Sequence, residues 1–234
     1  MKLILFLLVE FFLLGIDSIE SFAENQIGVK HCPFPLPHPK SDWNLYDVSK
    51  LTSGFTLANG SGLAQQQTQL YLCFHKHQNA LLLKYQSLDD NIVNPLRGCN
   101  APLYNYDVVE VFLSNGTTDG HSYLELEVSP YSQLFASYIS NPNLSCAGIS
   151  GEPLNCNSSN ILWKASVETN GWWAYLSVPL RLMEPITNNT LTGNFFRIDQ
   201  PKETNQREFS CWISTQSDPA CFHKPKYFSI LVLP

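Results

Sequence analysis

Residues Tyr104 to Pro130 read Tyr-Asn-Tyr-Asp-Val-Val-Glu-Val-Phe-Leu-Ser-Asn-Gly-Thr-Thr-Asp-Gly-His-Ser-Tyr-Leu-Glu-Leu-Glu-Val-Ser-Pro. Two β-rich runs, Val108 to Leu113 and Tyr123 to Val128, flank the turn-forming residues Ser114, Asn115, Gly116, Asp119 and Gly120. The stretch predicts a hairpin with a loop longer than a two-residue turn. In the second run Tyr123, Glu125 and Glu127 alternate with Leu124, Leu126 and Val128. A period of two puts one set on a buried face and the other on a wet or functional one.

Similar runs lie on both sides of this hairpin. Gln69 to His75 and Ala80 to Tyr85 pair across His77-Gln78-Asn79. Gln133 to Ile139 follows the central hairpin. Ile161 to Glu168 and Trp172 to Val178 pair around Thr169-Asn170-Gly171, and Pro179 to Met183 suits a short helical turn. Gly193 to Asp199, Glu208 to Ser214 and Tyr227 to Leu233 complete the set. About ten or eleven short strands, with no amphipathic helix of ten residues, indicate an all-β chain. The expected form is an antiparallel, jelly-roll-like sandwich, with a closed barrel as the alternative.

The N-terminus reads as a secretory signal. Lys2 precedes an apolar run from Leu3 to Leu14, and Ser21-Phe22-Ala23 offers a cleavage site after Ala23. The expected organisation is a signal peptide over 1–23, a proline-rich arm over 24–41, and one sandwich domain over 42–234. The apolar run is short for a membrane span, so no membrane attachment is expected after cleavage. The formal charge is −6. Removing residues 1–23 takes away one lysine and three acids and leaves −4. An acidic chain with no basic cluster argues against a nucleic-acid partner.

Seven cysteines lie beyond the signal segment: Cys32, Cys73, Cys99, Cys146, Cys156, Cys211 and Cys221. In an oxidising compartment they read as disulfides with one left over. Cys146 with Cys156 is the expected pair, closing a Gly/Pro/Asn-rich loop. Five sequons, at Asn59, Asn115, Asn143, Asn157 and Asn188, fall in loop-like sequence and predict a secreted glycoprotein.

Several segments together resemble the family 9 carbohydrate-binding modules, a β-sandwich group related to DOMON-like domains. They are Leu70 to Phe74, Asp107-Val108-Val109-Glu110-Val111-Phe112, Tyr123 to Pro130, Trp173 to Pro179, Asn194 to Asp199 and Phe222 to Phe228. The resemblance implies a sugar held between two aromatic rings, at the positions of Tyr104 and Phe222, where family members carry tryptophan. Glu110 matches a carboxylate that contacts sugar. Glu127 stands where the family can place a basic residue, which implies altered or lost sugar specificity. Family calcium sites make calcium a conceivable cofactor, but no ligands for it are assignable here; otherwise no cofactor or metal is expected.

Sugars need flat aromatics for their C–H faces and polar groups for their hydroxyls. The candidate carbohydrate-binding set is therefore Tyr104, Glu110, Phe222, Glu127, Arg197 and His223. Each has a plainer reading. The rings can plug the end of the sandwich, Glu110 can face solvent, and Arg197 can form a surface or cross-strand ion pair with Asp199. Glu125 and Glu127 can bind hydroxyls, a cation or Arg197, or simply be solvated. His75 and His77 have chelating spacing but no evident third ligand. Trp172 and Trp173 point to opposite faces, so one should be exposed or covered by a loop.

The expected function is a secreted, non-catalytic protein that binds oligo- or polysaccharide. The alternatives are an adhesion or structural sandwich that has lost sugar binding and a glycoside hydrolase-associated activity. A haem protein is disfavoured, since Met183 is the only methionine after the signal segment. The chain contains no Gly-x-Ser-x-Gly, His-Glu-x-x-His or phosphate-loop motif.

Overall fold

The structure is a computed structural model, described here for residues 26–116, 120–204 and 206–234. The proposed signal segment lies outside the described residues. Among the described residues, fourteen strands form two sheets. The strands are β1 (Gln26–Gly28), β2 (Ser49–Leu51), β3 (Thr56–Leu57), β4 (Thr68–His75), β5 (Ala80–Leu88), β6 (Val108–Asn115) and β7 (Ser122–Val128). They continue with β8 (Leu134–Ser140), β9 (Ser150–Pro153), β10 (Leu162–Glu168), β11 (Gly171–Pro179), β12 (Thr190–Asp199), β13 (Glu208–Cys211) and β14 (Ser229–Val232). The all-β sandwich expected from the sequence is the fold found.

The larger sheet runs β1-β14-β12-β6-β7-β8-β9. The C-terminal half of β12 also pairs with β13, and β13 with β3. Asn194 fills the fork where β13 and β14 diverge. Its Nδ2 donates to the carbonyls of Ile213 and Tyr227, and its Oδ1 accepts from the Ile213 amide. The smaller sheet runs β10-β11-β5-β4-β2. The expected hairpins β4–β5, β6–β7 and β10–β11 are all present.

Alternation sorts the side chains. Val109, Val111, Leu113, Leu124, Leu126 and Val128 face the smaller sheet and pack with Leu70, Leu72, Leu83, Trp172, Ala174 and Leu176. On the opposite face of β6 and β7 lie Glu110, Phe112, Tyr123, Glu125 and Glu127, and there a second apolar cluster forms around Phe112, Tyr123, Phe196 and Phe222. Side chains two apart on a strand must share a face, so the hairpin supplies both the core and the floor of an outer site.

The disulfides are Cys32–Cys73, Cys99–Cys156 and Cys146–Cys221, with Cys211 free and buried. The expected Cys146–Cys156 pair is therefore wrong. Strand β9 pairs with β8 between these two cysteines, and an extended strand carries its ends apart at about 3.3 Å per residue. Cys156 ends beside the Leu134 carbonyl, while Cys146 meets Cys221 on another loop.

The tryptophan pair and the His-x-His pair both have structural places. Trp172 is buried in the core and its Nε1 donates to Asp89 Oδ2. Trp173 is also buried, beneath Lys84, whose ammonium binds the Ser41 carbonyl. Trp173 is thus the member of the pair that is covered rather than exposed. His75 caps the 3-10 turn Lys76–Gln78 by accepting the Gln78 amide at Nδ1, which uses one nitrogen of the His-x-His pair. Of the sequon asparagines, Asn59, Asn143, Asn157 and Asn188 are exposed and Asn115 is half-buried.

Candidate binding cleft

A cleft of ≈ 620 Å³ opens on the outer face of the larger sheet. Its floor carries Glu110 from β6 and Glu125 from β7, with Phe135 and Ser137 of β8 beside them. Tyr104, Arg207, Phe209, Phe222 and His223 form its walls. Cys146 and Cys221 also line it, so the Cys146–Cys221 bridge ties two wall loops together.

Asp107 positions the Tyr104 loop. Its Oδ2 accepts the Val93 amide, and its carbonyl accepts Asn94 Nδ2 at 2.9 Å. Tyr104 then sits on a 3-10 turn, Leu103–Asn105, with its ring edge-on to Phe135 at 5.9 Å. Arg207 donates to the Tyr104 carbonyl and lies over the Phe209 ring. Tyr104 remains 45% exposed, so one face of the ring is available.

Phe222 differs. It is only 6% exposed and stacks on Phe196 at 4.4 Å with an interplanar angle of 18°. Only a small part of the ring therefore borders the cleft. His223 is held by Tyr123 Oη, 2.7 Å from its Nδ1, while Asn141 Nδ2 donates to both Tyr123 Oη and the His223 carbonyl. Burial pushes the His223 pKa down to about 4, so the imidazole is neutral at physiological pH.

The carboxylates are unusual. Glu110 and Glu127 are opposite residues of the β6–β7 ladder, and both are buried. Burial raises the pKa of each well above the ordinary carboxylate range, and the neighbouring glutamates add to the rise. Burial also raises Glu125 to about 7, and the adjacent Glu127 carboxyl counteracts this only in part. The Tyr104 amide, outside hydrogen-bonding geometry, offsets the rise at Glu127 only in part.

The sequence-derived set is thus partly reunited. Tyr104, Glu110, Phe222 and His223 line one cleft, and Glu127 lies beneath it. Arg197 does not belong there. It shares a face with Phe195, not Phe196, and projects between the sheets. Its Nη2 donates to Asp89 Oδ2 and Asp199 Oδ1, and its Nη1 to the Gln66 carbonyl and Thr68 Oγ1. The ion pair with Asp199 is neither on the surface nor in the cleft; both side chains are buried. Glu125, Arg207, Phe135 and Phe209 line the cleft but were absent from the expected set. The alternation of Tyr123, Glu125 and Glu127 pointed to Glu125. Arg207 carries no local signal, because its place depends on where the β12–β13 loop folds.

Over 179 residues the chain is 30% identical to a protein of Arthroderma benhamiae named Extracellular protein. The match covers 71% of this chain and 78% of that protein. The chain belongs to that protein's family. No protein-family model matches it. Among solved structures, a proposed carbohydrate-binding protein from Bacteroides uniformis aligns with TM-score 0.68 and 13% identity, covering 90% of this chain and 99% of that one. A family 9 carbohydrate-binding module from Caldicellulosiruptor kristjanssonii, in complex with glucose, aligns with TM-score 0.59 and 15% identity, covering 89% and 95%. Its complex with cellotriose gives TM-score 0.57. At these identities the family member shares the fold of these modules.

Proposed function

We propose that the protein acts outside the cell as a non-catalytic carbohydrate-binding module, taking a terminal sugar of a glucan-like chain into the cleft. The observation that carries this reading is the meeting of a half-exposed Tyr104 ring with acidic and imidazole side chains in one ≈ 620 Å³ cleft. Tyr104 would cover the apolar C–H face of the sugar, with Phe222 on the opposite wall. Glu110, Glu125, His223 and Arg207 would meet its hydroxyls. The similar modules solved with glucose and cellotriose support the ligand class, and the relative's name and three disulfides support an extracellular setting.

Binding without catalysis is favoured by where the acids stand. Glu110, Glu125 and Glu127 all rise from one side, off two adjacent strands. Glycoside cleavage needs two carboxyl groups that flank the bond. The test is glycan-array and calorimetric binding of the purified protein, including glucose and cello-oligosaccharides, with Tyr104→Ala as control. Specific binding lost in Tyr104→Ala is the expected result. No binding to any glycan by a folded protein would favour the adhesion or structural reading.

A further inference from the structure

One oxygen each from Glu110, Glu125 and Glu127 lies within 4.8 Å of the other two. A cluster of acids is common and says little alone. Here, however, Glu110 Oε1 and both oxygens of Glu127 are buried with no hydrogen-bond partner. Among the described residues no lysine or arginine forms an ion pair with any of the three. The charges that act on Glu110 and Glu127 are other carboxylates. Buried carboxylates are normally paired, hydrogen-bonded or bound to metal.

Room and donor type decide the occupant. A donor set made only of carboxylate oxygens suits a hard cation. An ammonium group would need about 2.8 Å to each oxygen, the reach of a water-sized group. The Glu127 oxygens present almost no surface to such a group. A bare calcium ion sits closer, at roughly 2.3–2.6 Å, and oxygens on opposite sides of it are ~4.8 Å apart. Magnesium demands a near-ideal octahedron at about 2.0–2.1 Å, whereas calcium tolerates an irregular, partly bidentate carboxylate set.

We propose that Glu110, Glu125 and Glu127 bind one calcium ion at the floor of the cleft. The three carboxylates supply up to six oxygens when bidentate. Glu110 and Glu125 line the cleft, so the remaining coordination positions open toward it. Calcium neutralises the buried charge, and the floor becomes rigid when it is loaded.

The experiment needs no sugar, so it stands apart from the carbohydrate reading. Purified protein is stripped with a chelator, dialysed, and titrated with calcium chloride by calorimetry, with magnesium chloride as comparator. Melting is followed in parallel. The expected result is one calcium per chain and a melting temperature raised by ~3–10 °C at about 10 mM calcium, for an affinity typical of extracellular calcium modules. Glu127→Gln and, as a second variant, Glu125→Gln should lose at least tenfold in calcium affinity. A flat titration with unchanged melting would overturn the proposal. So would equal calcium uptake by wild type and both variants, which would place the ion elsewhere.

Discussion

Glu110 and Glu127 stand directly opposite each other across the β6–β7 ladder, both buried and without a basic partner among the described residues. Like charges at opposed positions destabilise a sheet, and burial amplifies the effect. In metal-free protein the buried Glu127 must take up a proton that the unfolded chain releases at neutral pH; Glu127→Gln removes that requirement and adds an amide that can donate to a neighbouring carboxyl. It should therefore stabilise the chelated protein by roughly 1–3 kcal/mol, the cost of an unsatisfied buried polar group. Urea unfolding with and without calcium checks this. With calcium present the order of stability should reverse, since only the wild type keeps all three ligands.

Arg197 should behave as a structural residue. Its guanidinium holds Asp89 and Asp199, and Asp89 also accepts from Trp172. Removing one partner of a buried ion pair costs about 3–5 kcal/mol because the other charge is left uncompensated. Arg197→Ala should therefore lose that much stability in denaturant unfolding. Any glycan affinity should survive at temperatures where the variant remains folded, because the side chain lies between the sheets.

Stability should also fall as pH rises toward 8. Burial raises Asp107 to about 7, against an ordinary aspartate near 4, and raises Asp199 too, with the Arg197 guanidinium opposing that rise. Between those values the folded state holds protons that the unfolded chain has released. The stabilisation from these groups is full below about pH 4 and is lost as pH passes through about 7. Melting in chelator at pH 5 and pH 8 should show the lower melting temperature at pH 8. Asp107→Asn keeps an acceptor for the Val93 amide and should reduce the difference.

The disulfide map is directly checkable. Non-reducing peptide mapping should return Cys32–Cys73, Cys99–Cys156 and Cys146–Cys221. Cys211 should resist alkylation in the native protein and react after unfolding. It is buried, and burial pushes its thiol up to about 12, so almost no thiolate is present at neutral pH.

The sequence showed the hairpins because each long strand is a run rich in aliphatic and aromatic residues, with the period of two clearest in β7, and each turn has its own chemistry. It did not show β1, β2, β3 or β9, which have two to four residues, too few for a period. β9, Ser-Gly-Glu-Pro, is fully exposed and has no apolar face to betray it. The cysteine pairing was hidden for the same reason, since β9 is what separates Cys146 from Cys156. Arg197 was misplaced although its parity was informative. It shares a face with Phe195, and that face turned out to be the inner one. Which face of β12 meets the other sheet is fixed by its neighbours, not by its own alternation. The cleft residues Tyr104 and Phe222 were legible through the family resemblance, but their unequal exposure depends on packing against Phe135 and Phe196.

That inequality separates the two rings experimentally. Tyr104 touches Phe135 only edge-on and is 45% exposed, so its removal opens little cavity. Tyr104→Ala should change stability by less than about 0.5–1 kcal/mol and weaken glycan binding by ~1–3 kcal/mol, as loss of a stacking ring does at a ligand site. Phe222 is stacked on Phe196 and packs edge-on to Phe209 in the outer apolar cluster. Phe222→Ala should cost about 3–5 kcal/mol of folding stability through the cavity it leaves. Phe222→Leu should recover much of that stability while leaving the ring missing. Calorimetric titration of Phe222→Leu against Tyr104→Ala then reads the ligand contribution of each ring without a folding defect. If Phe222→Leu binds glycan like the wild type while Tyr104→Ala does not, the sugar rests on one aromatic platform. Equal losses in both would mean that Phe222 closes on the ligand from the opposite wall.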